Sequence, residues 1–79
     1  MADDGKAAAE LIEFIAKAIV SDQDAIQVHA RDGGSLLELE TASDDRGRVI
    51  GRQGRIAKAL RAVLGASRVG PDCRLDIVD

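Results

Sequence analysis

At 79 residues, 46% hydrophobic and 32% charged, the chain has a globular composition and the length of a single domain, 1–79, with a thin core. One cysteine (Cys73) and one histidine (His29) exclude an internal disulfide and a zinc centre of the usual Cys/His kind within one chain. Phe14 is the only aromatic residue, so the core must be built from Ile, Leu, Val and Ala, and the net charge of −3 speaks at first against a polyanionic partner.

The spacing predicts a helix over residues 4–20. Leu11, Ile12, Ile15, Ala18 and Ile19 recur at three and four, Glu10, Glu13 and Lys17 take the other face, and Asp3 or Asp4 is placed to cap the start. From 24 to 31 the period becomes two, with Ile26, Val28 and Ala30 on one face of a strand and His29 on the other, exposed and without a partner nearby in sequence. Asp32-Gly33-Gly34 reads as a turn, and residues 35–42 as a second strand with Leu37, Leu39 and Thr41 aligned, so the pair forms a hairpin.

Ser43 or Asp44 is placed to cap a short helix over 44–50, ended by Gly51. A second helix over 54–66 carries Ile56, Leu60, Val63 and Leu64 as its apolar stripe and Arg55, Lys58 and Arg61 on its polar side, and Gly65, or Gly70 with Pro71, breaks it. Val49 and Ile50 are assigned to the core. Cys73, Leu75 and Ile77 alternate with Arg74 and Asp76 in a last strand, with Cys73 a small buried hydrophobe. The order α-β-β-α-α-β is an α+β class: a three-stranded mixed sheet with helices packed on one face. A right-handed crossover through two helices lays the second and third strands parallel.

Charge is unevenly spread. Arg46, Arg48, Arg52, Arg55, Lys58, Arg61 and Arg68 fall within residues 46–71, which hold seven of the eleven basic residues and none of the 14 acidic ones. Local asymmetry of this kind matters more to an anionic partner than the total does. Inside the stretch lies Gly51-Arg52-Gln53-Gly54. With 8 glycines in the chain, about 0.8 such Gly-x-x-Gly pairs arise by chance, so the setting decides. This pair sits between two helices, behind Val49-Ile50 and among arginines. Glycines admit a close backbone approach, the next helix offers free N–H groups and the positive end of its dipole, and Arg52, Gln53 and Arg55 add donors. Such a site suits a chain of phosphates more than one isolated anion.

The run over residues 47–61, GRVIGRQGRIAKALR, resembles the K-homology (KH) signature: an apolar pair, GxxG, then a basic amphipathic helix. Nearly the whole chain is similar to the small single-domain bacterial KH proteins of the KhpA family, with the type II KH element order. The resemblance implies a protein that binds single-stranded RNA, with Gly51, Arg52, Gln53 and Gly54 clamping the backbone of about four nucleotides while bases lie in a groove beside the loop. Arg48, Arg55 and Lys58 are added as backbone contacts, and the function implied is that of a post-transcriptional regulator or RNA chaperone. It also implies pairing, as a homodimer or as a heterodimer with a larger multidomain KH protein. Glu38, Glu40, Asp44 and Asp45 are expected to border the groove and weaken binding.

Other classes find little support. No GxxxxGK[ST] string is present, neither His29 nor Cys73 has a triad partner in view, and the carboxylates are scattered, so neither an enzyme nor a cofactor, bound metal or small-molecule substrate is expected. No basic segment leads into an apolar one and no apolar run approaches a membrane span, so a cytoplasmic protein without a membrane partner is expected. The alternative is an assembly module in which dimerisation is primary and RNA contact secondary, through an apolar patch left exposed on the last helix or strand.

Overall fold

Residues 6–19 are mostly strong helix formers, Ala, Leu, Glu and Lys, and in the computed structural model, which describes residues 5–78, they form α1 (Lys6–Ile19). Its buried line is Ala8, Ile12 and Ala16, at a spacing of four, with Leu11 and Ile15 half-buried beside it. Ala18, expected inward, is exposed, because it follows Ala16 by two residues and so points about 200° away from the buried line. The expected caps Asp3 and Asp4 lie outside the described residues, and Gly5 holds the N-cap position. On the outer face Lys17 pairs with Glu13 at 2.8 Å.

β1 (Gln27–Arg31) starts three residues later than its alternation suggests, since Gln23–Ala25 closes a single 3₁₀ turn. Ile26 is buried and Val28 half-buried. Ala30, on the same face by register, is exposed because it lies at the outer end of an edge strand. The hairpin turns at Asp32–Gly34, where Asp32 and Gly33 both take positive φ. It leads into β2 (Leu36–Glu40), whose Leu37 and Leu39 are fully buried.

The sheet order is β1-β2-β3. β1 and β2 run antiparallel, pairing Val28 with Leu39 and Ala30 with Leu37. β3 (Arg74–Val78) runs parallel to β2, pairing Leu37 with Leu75 and Leu39 with Ile77. The parallel pairing follows from the two helices that intervene, α2 (Arg46–Ile50) and α3 (Arg55–Ala66), which must lie on one sheet face to return the chain in the same direction. The core lies between that face and the helices: Ile12 and Ala16 of α1, Val49 of α2, and Leu60 and Leu64 of α3 meet Leu37, Leu39 and Leu75. This is the expected α+β arrangement, a three-stranded mixed sheet with three helices, consistent with a KH fold.

Several local readings change. Neither Ser43 nor Asp44 caps α2 through its side chain; Ser43–Asp45 forms a 3₁₀ turn instead. Asp45 is the one buried charged residue among those described. Its carboxylate accepts the N–H groups of Ser21 (3.1 Å) and Asp22 (3.0 Å), which joins the end of α1 to the start of α2. α3 runs through Gly65 and ends at Ala66, where the Ser67 hydroxyl donates to the Leu64 carbonyl at 2.7 Å. Cys73 precedes β3, is half-buried, and its thiol contacts the Gly34 carbonyl oxygen at 3.0 Å. His29 does have a partner, Glu40 at 2.9 Å across the hairpin.

Candidate functional site

Gly51 ends α2 with its N–H on the Gly47 carbonyl at 2.8 Å and adopts φ 79, ψ 168. Only glycine occupies this region readily. Space imposes the same choice: a Cβ there would collide with the Ile56 side chain and sit 2.8 Å from the Ile56 nitrogen. The chain then closes one turn over Arg52–Gly54, with the Gly54 N–H on the Gly51 carbonyl at 3.1 Å. Gln53 (φ 58) and Gly54 (φ 73) are both left-handed. A non-glycine residue in that conformation costs about 1 kcal/mol or more, so the surrounding turn imposes it.

This turn delivers the chain into α3 at Arg55. The Arg55 N–H bonds back to the Arg52 carbonyl, but no side chain caps α3 and no acidic residue occupies its first turn, so the positive end of its dipole stays open toward the loop. Arg52, Gln53, Arg55 and Lys58 are all exposed. None of their side chains makes a hydrogen bond or ion pair with another described residue. Gly51 to Arg55, with Lys58 one turn on, are therefore brought together as one polar edge.

Arg48 stands apart from that group. Its Nη1 donates to the Ser21 hydroxyl at 2.5 Å and lies 3.8 Å from Asp45 Oδ1, so its head group faces the end of α1. The Asp45 carboxyl is held below the usual carboxylate range by the N–H groups of Asp22 and Ser21, and then by the Arg48 guanidinium, against the opposing effect of burial. Arg61 is engaged as well: its Nε donates to the Leu75 carbonyl at 3.0 Å and ties α3 to β3.

Beside the loop an open cleft of about 430 Å³ runs between α3 and β3. Ile50, Ala57, Ile77 and Val78 give it apolar walls, and Gly54, Lys58, Arg61 and Asp76 its polar edges. The contribution of β3 escapes sequence reasoning, because residues 76–78 join the cleft only through the parallel pairing of β3. The exposure of Ile50, assigned to the core, has a signal in the sequence. Val49 and Ile50 are consecutive on a helix and so point about 100° apart, and only one of them can face the core. Val49 is fully buried and Ile50 exposed. The expected acidic border is also corrected. Glu38 pairs with Arg31 and Glu40 with His29, both at 2.9 Å, Asp45 is buried, and none of Glu38, Glu40, Asp44 and Asp45 lines the cleft; Asp76 does.

Taken together, the loop offers backbone donors and unpaired cations to phosphates, and the adjoining cleft offers an apolar slot of the kind that accepts a base. The sequence profile described as KhpA/KhpB, KH domain matches residues 9–75. The RNA-binding protein KhpA of Streptomyces coelicolor is 46% identical over 72 residues, covering 89% of this chain and 90% of that protein. That of Halalkalibacterium halodurans is 45% identical over 73 residues (87% and 96%), and that of Borreliella burgdorferi 40% over 74 residues (89% and 90%). No solved structure matches the chain significantly.

Proposed function

The chain belongs to the KhpA/KhpB family of KH domains, and on that premise we propose that it binds single-stranded RNA, as one KH domain over residues 1–79. The observation that carries this reading is the join of a GxxG turn, at the uncapped N-terminal end of α3, to a cleft between α3 and β3. Gly51, Arg52, Gln53, Gly54 and Arg55 clamp successive phosphates, Lys58 sits at the mouth of the cleft, and bases enter against Ile50, Ala57 and Ile77. Arg48 contributes by holding α2 to the end of α1. The mode is backbone clamping with shape readout, in which aromatic stacking has no part. The protein acts by binding alone, in the cytoplasm, as an RNA chaperone or post-transcriptional regulator. Among the described residues no helix is long and apolar enough to cross a membrane.

The test is fluorescence anisotropy with short single-stranded RNA oligomers. Replacing Arg52 and Gln53 together by Asp leaves the circular dichroism unchanged and removes binding. Undiminished binding by a folded double variant rejects the clamp.

A second reading is supported by the outer face of α3, where Ala59, Ala62, Val63 and Ala66 are all exposed. Such a face suits assembly with a second copy or another KH protein. Sedimentation at micromolar concentration tests it: a Val63→Asp variant runs lighter than the wild type if the face is an interface, and a wild type that is monomeric throughout rejects the homodimer.

A further inference from the structure

α3 leaves the Gly-x-x-Gly turn while β3 runs back toward it, so successive turns of the helix meet β3 in reverse order. Ala57 and Lys58 share the first cleft with Ile77 and Val78, and one turn further on Arg61 reaches Leu75. A second cleft of about 400 Å³ adjoins the first there, lined by Arg61, Cys73, Arg74, Leu75 and Asp76. Arg61 lines both clefts, and its Nε on the Leu75 carbonyl holds the guanidinium at the outer edge of the sheet.

The other guanidinium nitrogens of Arg61 have no partner among the described residues, and neither has the side chain of Arg74. Lys17 and Arg31, by contrast, are paired with Glu13 and Glu38. By alternation Arg74 and Asp76 belong to the outer face of β3, beside Leu36 and Glu38 of β2, so they form the outer wall of this edge cleft while Leu75 and Arg61 form its inner one. Two guanidinium groups against the single carboxylate of Asp76 leave the cleft net positive. Lys58, Arg61 and Arg74 thus make a line of open cations that starts beside the turn and follows the edge of β3. One isolated anion uses one of them, whereas phosphates in series use all three.

Resting on the RNA-binding reading above, we propose that the RNA site continues past the clamp and its first cleft into a second subsite between Arg61 and Arg74. β3 from Arg74 to Val78 spans about 13 Å, a length that roughly two nucleotides of an extended strand cover. The subsite takes their phosphates and leaves their bases in solvent, so it lengthens the footprint without adding sequence preference.

The experiment measures anisotropy of the full chain with oligouridylates of four and six nucleotides, for the wild type, Arg74→Glu and Arg74→Lys, with folding checked by circular dichroism. A four-nucleotide site holds a hexamer in several registers, which alone gives about threefold. With two more exposed charge pairs the wild type binds the hexamer about twentyfold more tightly than the tetramer, and its salt slope is steeper by about 1.4, from about 0.7 per added phosphate. Arg74→Glu lowers the hexamer advantage to about threefold or less and leaves the tetramer within about twofold of wild type, because the tetramer lies beyond the screening length of about 8 Å. Arg74→Lys keeps the charge and most of the advantage. Arg74→Ala, expected midway, stands in if crowding by Asp76 unfolds Arg74→Glu. A wild-type advantage near threefold overturns the proposal. So does an advantage that survives in Arg74→Glu, or an equal loss of tetramer and hexamer in that variant, which would make Arg74 part of the general field. Each of these leaves the clamp in place, whereas no binding of either oligomer by the wild type removes the RNA-binding reading as well.

Discussion

The two glycines of the Gly-x-x-Gly turn look equivalent in sequence and are held by different constraints. At Gly51 both the backbone angles and the contact with Ile56 exclude a Cβ; at Gly54 the φ is positive but nothing lies within 4 Å of an added Cβ. Gly51→Ala is therefore expected to lose at least about 2 kcal/mol in chemical denaturation, and Gly54→Ala only about 1 kcal/mol. Asp45 carries a second prediction. Its folded-state pKa lies below the ordinary 3.8, so the carboxylate binds protons less readily when folded than when unfolded. The stability it contributes is then complete above that ordinary value and is lost as pH falls through the lower, folded value. Thermal melts at descending pH should show wild type and Asp45→Asn converging in acid and diverging toward neutrality. A constant gap between them would remove Asp45 as the source.

Among the elements, α3 joins core to site. Its inner residues Ala57, Leu60 and Leu64 are buried, while Arg55, Lys58 and Val63 are exposed. Leu64→Ala should cost about 2–5 kcal/mol by leaving a cavity against the sheet, whereas Val63→Ala should stay within about 0.5 kcal/mol; urea unfolding separates the two. Element types and order are legible in the sequence because each has a clean period: four in α1 and α3, two in β2 and β3. What periodicity leaves undecided is which edge of an apolar stripe wins. Ala18, Ile50 and Val63 sit on the apolar side of their helices and are exposed, since a three-stranded sheet covers only part of the surface its helices present; Ala30 is exposed at the outer end of an edge strand. The loop half of the site is legible because it is continuous in sequence. The Asp76–Val78 wall is not, because only the parallel register of β3 beside β2 places it there. Asp45 is illegible for a similar reason, its partners lying 23 and 24 residues away.

Across the whole molecule the charge is segregated. Residues 46–71 carry seven basic side chains and no acidic one, while the remainder holds four basic and 14 acidic residues. An RNA strand is thus attracted to the segment that holds the loop and repelled by the acidic remainder, which lets a chain of net negative charge bind a polyanion. If the clamp engages three or four phosphates, log K should fall against log salt with a slope of about −2 to −3. A slope near zero would mean that phosphates are not the main contact. The most direct measurement is a titration of the ¹⁵N-labelled chain with a single-stranded RNA octamer, following backbone amide shifts. The account predicts that the largest changes fall on residues 51–58 and 76–78, with α1 and the hairpin tip at 32–34 nearly still. Changes centred on α1 or on the outer face of β1 and β2, with the loop at 51–54 unmoved, would contradict it.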